Sequence, residues 1–88
     1  MTKIRVLLAD DHPIVRRGIR SLLLTAPDIE IVAEAKSGQE ALSLVSELAP
    51  DVLLLDMEMP GMSGVDVAKQ LKATRSEVRV LALSAYDD

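Results

Sequence analysis

Three short apolar runs in this chain end in residues able to do chemistry. Ile4–Ala9 is followed by Asp10-Asp11, Val52-Leu53-Leu54-Leu55 by Asp56, and Val78–Leu83 by Ser84. If these runs are strands of an open parallel sheet, their polar followers meet at the carboxyl ends, where such sheets bind ligands. Clustered carboxylates repel one another, and a hard divalent cation relieves that repulsion. Magnesium takes about six oxygen ligands at roughly 2.0–2.1 Å and keeps several waters, which suits two or three carboxylates plus a carbonyl. A carboxylate beside such an ion can attack phosphorus and form an acyl phosphate. That reaction asks chiefly for positioning and for neutralisation of the phosphoryl oxygens, which the cation and a nearby hydroxyl supply. Taken singly, each residue has a plainer role: Asp10 and Asp11 as helix caps, Asp56 as the start of a turn. Their recurrence at successive strand ends favours the chemical reading.

The segments between these runs have the pattern needed to position them. Pro13 suits the first turn of a helix. Ile14, Val15, Ile19, Leu22 and Leu23 recur at helical spacing to about Thr25, and Pro27 stops the run. A second strand is predicted over Ile29–Ala33. Ser37-Gly38-Gln39-Glu40 reads as a capping box, opening a helix with the stripe Ala41, Leu42, Val45 and Leu48 that Pro50 ends. Val52–Leu55 is apolar throughout, as befits a central strand covered on both faces. After Met59-Pro60-Gly61, Ser63-Gly64-Val65-Asp66 caps a third helix turning Val65, Ala68 and Leu71 inward. Strand alternating with helix gives an α/β fold with a doubly wound parallel sheet. Right-handed crossovers and a reversal of direction after the first strand give the order 2-1-3-4. The first helix then lies on one face and the next two on the other. With no closing helix after the last strand, we expect a domain that stops short.

The 88 residues suffice for one small domain. Hydrophobic residues make up 49%, too many for a disordered chain. Tyr86 is the only aromatic, so the core falls to Leu, Val, Ile, Ala and Met. The net charge of −4 argues against nucleic-acid binding by this segment, because phosphate neutralisation supplies most of such affinity. Without cysteine there is no disulfide framework, zinc site or thiol nucleophile, which suits a reducing cytosol. The first apolar run is broken early by acids and reads as neither a signal peptide nor a membrane span. A cytoplasmic domain is the expectation.

Over its whole length the sequence resembles the receiver domains of two-component response regulators. The resemblance rests on Asp10-Asp11 after the first strand, Asp56 after an apolar third strand, Met59-Pro60 with Gly64, and Ser84-Ala85 after the fourth. The opening Asp10-Asp11-His12-Pro13-Ile14-Val15-Arg16-Arg17-Gly18 is similar to the NarL/FixJ (LuxR-type) subfamily. The resemblance implies a flavodoxin-like (CheY-like) fold, here without its fifth strand and last two helices. It implies Asp56 as phosphoacceptor, and Asp11 as a Mg2+ ligand with Asp10 assisting directly or through water. Glu58 would lend the ion its backbone carbonyl, and Ser84 would be the switch hydroxyl that hydrogen-bonds the phosphoryl group. The family's phosphate-pairing lysine belongs to a fifth strand past Asp88, so this chain carries no catalytic lysine. The implied partners are a histidine kinase or phosphotransfer protein, a second copy of the regulator, and DNA through a C-terminal helix-turn-helix domain outside this sequence. No membrane partner and no turnover enzyme are implied.

Other residues admit two readings. His12 reads as a helix-entry residue rather than a ligand, because Mg2+ prefers oxygen. Arg16, Arg17 and Arg20 are either a solvated helix face or a docking surface for an acidic partner. Met57, Met59 and Met62 suit core filling better than an adaptable binding surface. Gly61 and Gly64 serve backbone geometry, and Tyr86 reads as an exposed loop residue. Two competing functions remain: a Mg2+-dependent phosphatase of the haloacid-dehalogenase type, and an interaction domain independent of phosphorylation. The first would place an Asp-x-Asp pattern after strand one, where this chain has Asp10-Asp11-His12.

Overall fold

The computed structural model describes residues 3–83. Ser84 and Tyr86 lie outside the described residues. Strands and helices alternate as β1 (Ile4–Ala9), α1 (Pro13–Leu23), β2 (Ile29–Ala35), α2 (Gly38–Leu48), β3 (Val52–Asp56), α3 (Gly64–Ala73) and β4 (Arg79–Leu83). The strands form one parallel sheet in the order β2-β1-β3-β4, as the sequence pattern predicts.

Alternation along the central strands sorts the two faces. Leu7 and Ala9 of β1 and Leu53 and Leu55 of β3 pack with Ala41 and Val45 of α2 and Val67 and Leu71 of α3. The opposite parity, Val6 and Leu8, is also buried but belongs to the other side of the sheet. Helix α1 covers that side: its Arg16 reaches Glu34 of β2, which is in register with Leu8. Burying the apolar parity on both faces supplies the main stabilising term, at about 25 cal/mol per Å2 of apolar surface removed from water.

Strand β2 is irregular. Val6 pairs with Ile31 but Leu7 pairs with Ala33, so Val32 is an extra residue without a partner. This β-bulge lets β2 continue two residues past the predicted end, to Ala35, whose carbonyl accepts the Asp10 amide. At the far edge β4 begins at Arg79, one residue later than the apolar run suggests.

The helices start as their sequences indicate, with differences in detail. Pro13 opens α1. That helix ends at Leu23, and none of its residues is fully buried. Val15, Ile19 and Leu23 are half-buried, whereas Ile14 and Leu22 point to solvent. At α2 the Ser37 hydroxyl accepts the Glu40 amide, but the Glu40 carboxylate accepts the Lys36 amide instead of closing the predicted box on Ser37. The reciprocal box is complete at α3, between Ser63 and Asp66. The inward face of α3 also differs from expectation. Val67, with Gly64 and Leu71, is buried, while Val65 is exposed and Ala68 half-buried. With Ser63 as N-cap, Val65 lies in the first turn, and residues 64, 67 and 71 form the stripe that meets the sheet.

Candidate functional site

Asp10 and Asp56 stand at the carboxyl ends of two neighbouring strands. β1 and β3 pair from Val6–Val52 to Ala9–Leu55, so the residues that follow come out side by side. Both carboxylates are almost completely buried. Asp11, one residue on and already leaving the strand, is half-buried. Ligand atoms from Asp10, Asp11, His12 and Asp56 all lie within 4.8 Å of one another. The predicted acidic set is therefore brought together.

Each carboxylate is held differently. The Asp10 Oδ1 accepts the His12 amide at 2.8 Å and faces the His12 ring Nδ1 at 2.9 Å. Its backbone is fixed from both sides, with the amide donating to Ala35 O at 3.0 Å and the carbonyl accepting Arg16 Nη1 at 2.6 Å. The Asp56 Oδ1 accepts the Glu58 amide at 2.9 Å, which ties the start of the β3–α3 loop to the carboxylate. The Glu58 side chain itself is exposed. The Asp11 Oδ1 is buried and has no hydrogen-bond partner among the described residues. It lies 3.1 Å from His12 Nδ1, which is nearer to Asp10 Oδ1 at 2.9 Å.

A buried acceptor oxygen without a donor is costly, and so is a group of close carboxylates without a counter-charge. Both costs are relieved by a cation bonded to oxygen. The donor set of Asp10, Asp11 and Asp56 thus fits a hard divalent ion such as Mg2+.

The loop that carries Asp56 into α3 is shaped by glycine. Gly61 has φ of +77°, a left-handed conformation that strains other residues. Met59, between Asp56 and that turn, is buried in the core, and Met57 and Met62 pack against it, which bears out the methionines as core filler.

Two residues have more to do here than the sequence reading gave them. His12 caps α1 only by position, with no side-chain capping bond. Its ring instead lies over the acidic cluster, with Nδ1 2.9 Å from Asp10, 3.1 Å from Asp11 and 3.6 Å from Asp56. The hydrogen bond with Asp10 holds the imidazole pKa above its ordinary 6.5. The charges of Asp11, Asp10 and Asp56 act in the same direction, against loss of hydration. Arg16 belongs to neither a solvated face nor a docking surface. Its side chain is only 12% exposed and joins the Asp10 carbonyl to the Glu34 carboxylate. Arg20 meets the same carboxylate from a more exposed position. The available signal was placement: Arg16 sits between Val15 and Ile19, two of the residues that turn α1 inward.

The family model described as the response regulator receiver domain matches residues 6–88. A nitrate/nitrite response regulator protein homolog from Haemophilus influenzae is 44% identical over 85 residues, covering 97% of this chain and 41% of the relative. The transcriptional regulatory protein LiaR of Bacillus subtilis is also 44% identical, over 97% of this chain and 40% of its own length. The chain therefore spans about two-fifths of these relatives. Among solved structures, the signal receiver domain of the response regulator NarL from Mycobacterium tuberculosis superposes with a TM-score of 0.93. It is 41% identical over 100% of this chain and 71% of that one. A DNA-binding response regulator of the LuxR family from Staphylococcus aureus has a TM-score of 0.88 at 28% identity, over 97% of this chain and 71% of that one.

Proposed function

This chain belongs to the response regulator receiver domain family, and on that premise we propose that it takes a phosphoryl group on Asp56. The observation that carries the reading is the convergence, at adjoining strand ends, of buried Asp10 and Asp56 with an Asp11 oxygen that has no hydrogen-bond partner among the described residues.

A free carboxylate oxygen of Asp56 attacks phosphorus in line with the leaving group. The bond from phosphorus to the donor's imidazole nitrogen, or to the oxygen of a small acyl phosphate, breaks as the new O–P bond forms. The electron pair leaves with the donor. Asp56 Oδ1 stays fixed by the Glu58 amide, which leaves Oδ2 as the attacking atom. Asp10, Asp11, Asp56 and the Glu58 carbonyl would hold Mg2+, which when bound neutralises charge on the phosphoryl oxygens. Ser84 would then hydrogen-bond the phosphoryl group as the switch hydroxyl. In this reading the chain carries the phosphoryl group rather than turning over a substrate, and membership of the receiver family supports that over the phosphatase alternative.

The donor class in this reading is the phosphohistidine of a histidine kinase or phosphotransfer protein, and the setting is the cytoplasm. None of the helices among the described residues is long and apolar enough to cross a membrane. In a full-length regulator the phosphorylated domain would control a C-terminal helix-turn-helix that binds DNA, as relatives named for transcriptional regulation suggest. Self-association would be part of that output. The direct test is incubation with acetyl phosphate or a phosphorylated kinase in the presence of Mg2+, followed by intact-mass measurement. Addition of one alkali-labile phosphoryl group, abolished in Asp56→Asn, is the expected result. Undiminished labelling of that variant would overturn the assignment.

A further inference from the structure

The ring of His12 lies against carboxylate oxygens of the same three residues that would hold a divalent ion. Its Nδ1 lies within 3.6 Å of one oxygen from each of Asp10, Asp11 and Asp56. Two acceptors do not approach to 2.9 Å, and an ionised carboxylate only accepts. The Nδ1 facing Asp10 Oδ1 therefore carries a hydrogen. A nitrogen in that state offers the site a donor, whereas a metal ligand must offer a lone pair. The ring is thus oriented against coordination.

We infer that His12 is a built-in placeholder for the cation: its ring N–H occupies the acidic cluster while the ion is absent and swings out when the ion enters. The inference rests on the metal site proposed above and adds a residue that sets its affinity.

The surroundings permit the exchange. The His12 side chain is 62% exposed, so rotation carries the ring into solvent without disturbing the core. Asp10 is not released by that movement, because Oδ1 keeps the bond from the His12 amide, the Asp10 amide still donates to the Ala35 carbonyl, and the Asp10 carbonyl still accepts from Arg16. The acidic geometry is therefore held by main-chain contacts, and the ring is the part that can leave. While in place it stabilises the cluster and competes with the ion. A residue of this kind lowers metal affinity and raises metal-free stability together, whereas a ligand histidine would raise affinity.

The test compares Mg2+ binding to the wild-type protein and to His12→Ala, by titration followed through the amide NMR shifts of residues at the strand ends. Giving up a net hydrogen bond to the carboxylate before metal binds corresponds to a roughly threefold to tenfold difference, so His12→Ala should bind Mg2+ tighter by that factor. In wild-type protein the same titration should move the His12 ring resonances and abolish the Nδ1–H to Asp10 coupling, a readout that needs no variant. Equal affinity with an unmoved ring would refute the placeholder while leaving the metal site standing. Weaker binding by His12→Ala, with the Nδ1 resonance shifted as for a coordinated nitrogen, would make His12 a ligand and overturn the inference. Absence of Mg2+-induced shifts at Asp10, Asp11 and Asp56 in both proteins would remove the metal site and the placeholder with it.

Discussion

Gly64 stands so close to Asp56 that a Cβ on it would lie 2.8 Å from the Asp56 carbonyl oxygen and 2.6 Å from the Met57 Cα. The obstacle is backbone and cannot move like the end of a flexible side chain. The first residue of α3 is thus pressed against the strand end that presents the phosphoacceptor, and its amide donates to the Met57 carbonyl at 3.3 Å. Gly64→Ala should cost about 1–3 kcal/mol of stability, the usual range for overpacking. Chemical denaturation measures that loss, and Asp56 amide shifts larger than those at α1 would localise the displacement.

Removal of the Asp56 charge should act in opposite directions on two properties. Asp56→Asn should weaken Mg2+ binding, by roughly tenfold if one ligand charge is worth about 1.4 kcal/mol. In metal-free protein the same change relieves carboxylate repulsion and should raise Tm. A lower Tm in the metal-free variant would show that Asp56 is already compensated without a cation.

Arg16 and Arg20 both contact Glu34 but should differ in importance. Arg16 is largely buried and also holds the Asp10 carbonyl, so Arg16→Ala should cost about 1.5–3 kcal/mol, as for hydrogen bonds to charged groups. Arg20 is 57% exposed, and water screens its pair, so Arg20→Ala should change little. A double-mutant cycle with Glu34→Ala should return a clear coupling for Arg16 alone.

The raised pKa of His12 makes metal-free stability depend on pH. The folded state holds the ring proton more tightly than the unfolded chain, whose imidazole titrates near 6.5. His12 therefore adds its full stabilisation below pH 6.5 and loses it as pH rises through the folded value. Thermal denaturation on either side of that range should show the decline in wild type, and His12→Ala should lack it.

The strand order and the identity of the acidic set were legible in the sequence for physical reasons. Continuous apolar runs, each followed by acid or hydroxyl, place polar groups at one end of a parallel sheet whatever the packing details. What was not legible depends on three-dimensional contacts. Val67 rather than Val65 faces the core because the start of α3 is fixed by Ser63, and only the docked helix shows which stripe meets the sheet. Arg16 reads as surface by type and is buried by its neighbours. His12 reads as helix entry by position, and only the fold shows three carboxylates converging on its ring. The unequal burial of Asp10 and Asp11 follows from where β1 ends, a matter of a single residue.

The unpaired Val32 in β2 has a consequence for everything that follows it in the strand. Side chains of a strand alternate in phase, and one inserted residue shifts the phase by half a period. Counting in twos from Ile31, which shares the face of Val6, would bring Ala33 and Ala35 to the α1 side and turn Glu34 toward the apolar interior beneath α2. With the insertion, Ala33 and Ala35 pair with Leu7 and Ala9 on the α2 side, and Glu34 pairs with Leu8 on the side of α1. Val32 thus acts as a phase shifter: it turns an acid that would have been stranded among aliphatic side chains into the anchor for Arg16. Through Arg16 that half-period shift reaches the Asp10 carbonyl, so the alignment of the acidic loop is set in part by the length of an edge strand that contributes no residue to it.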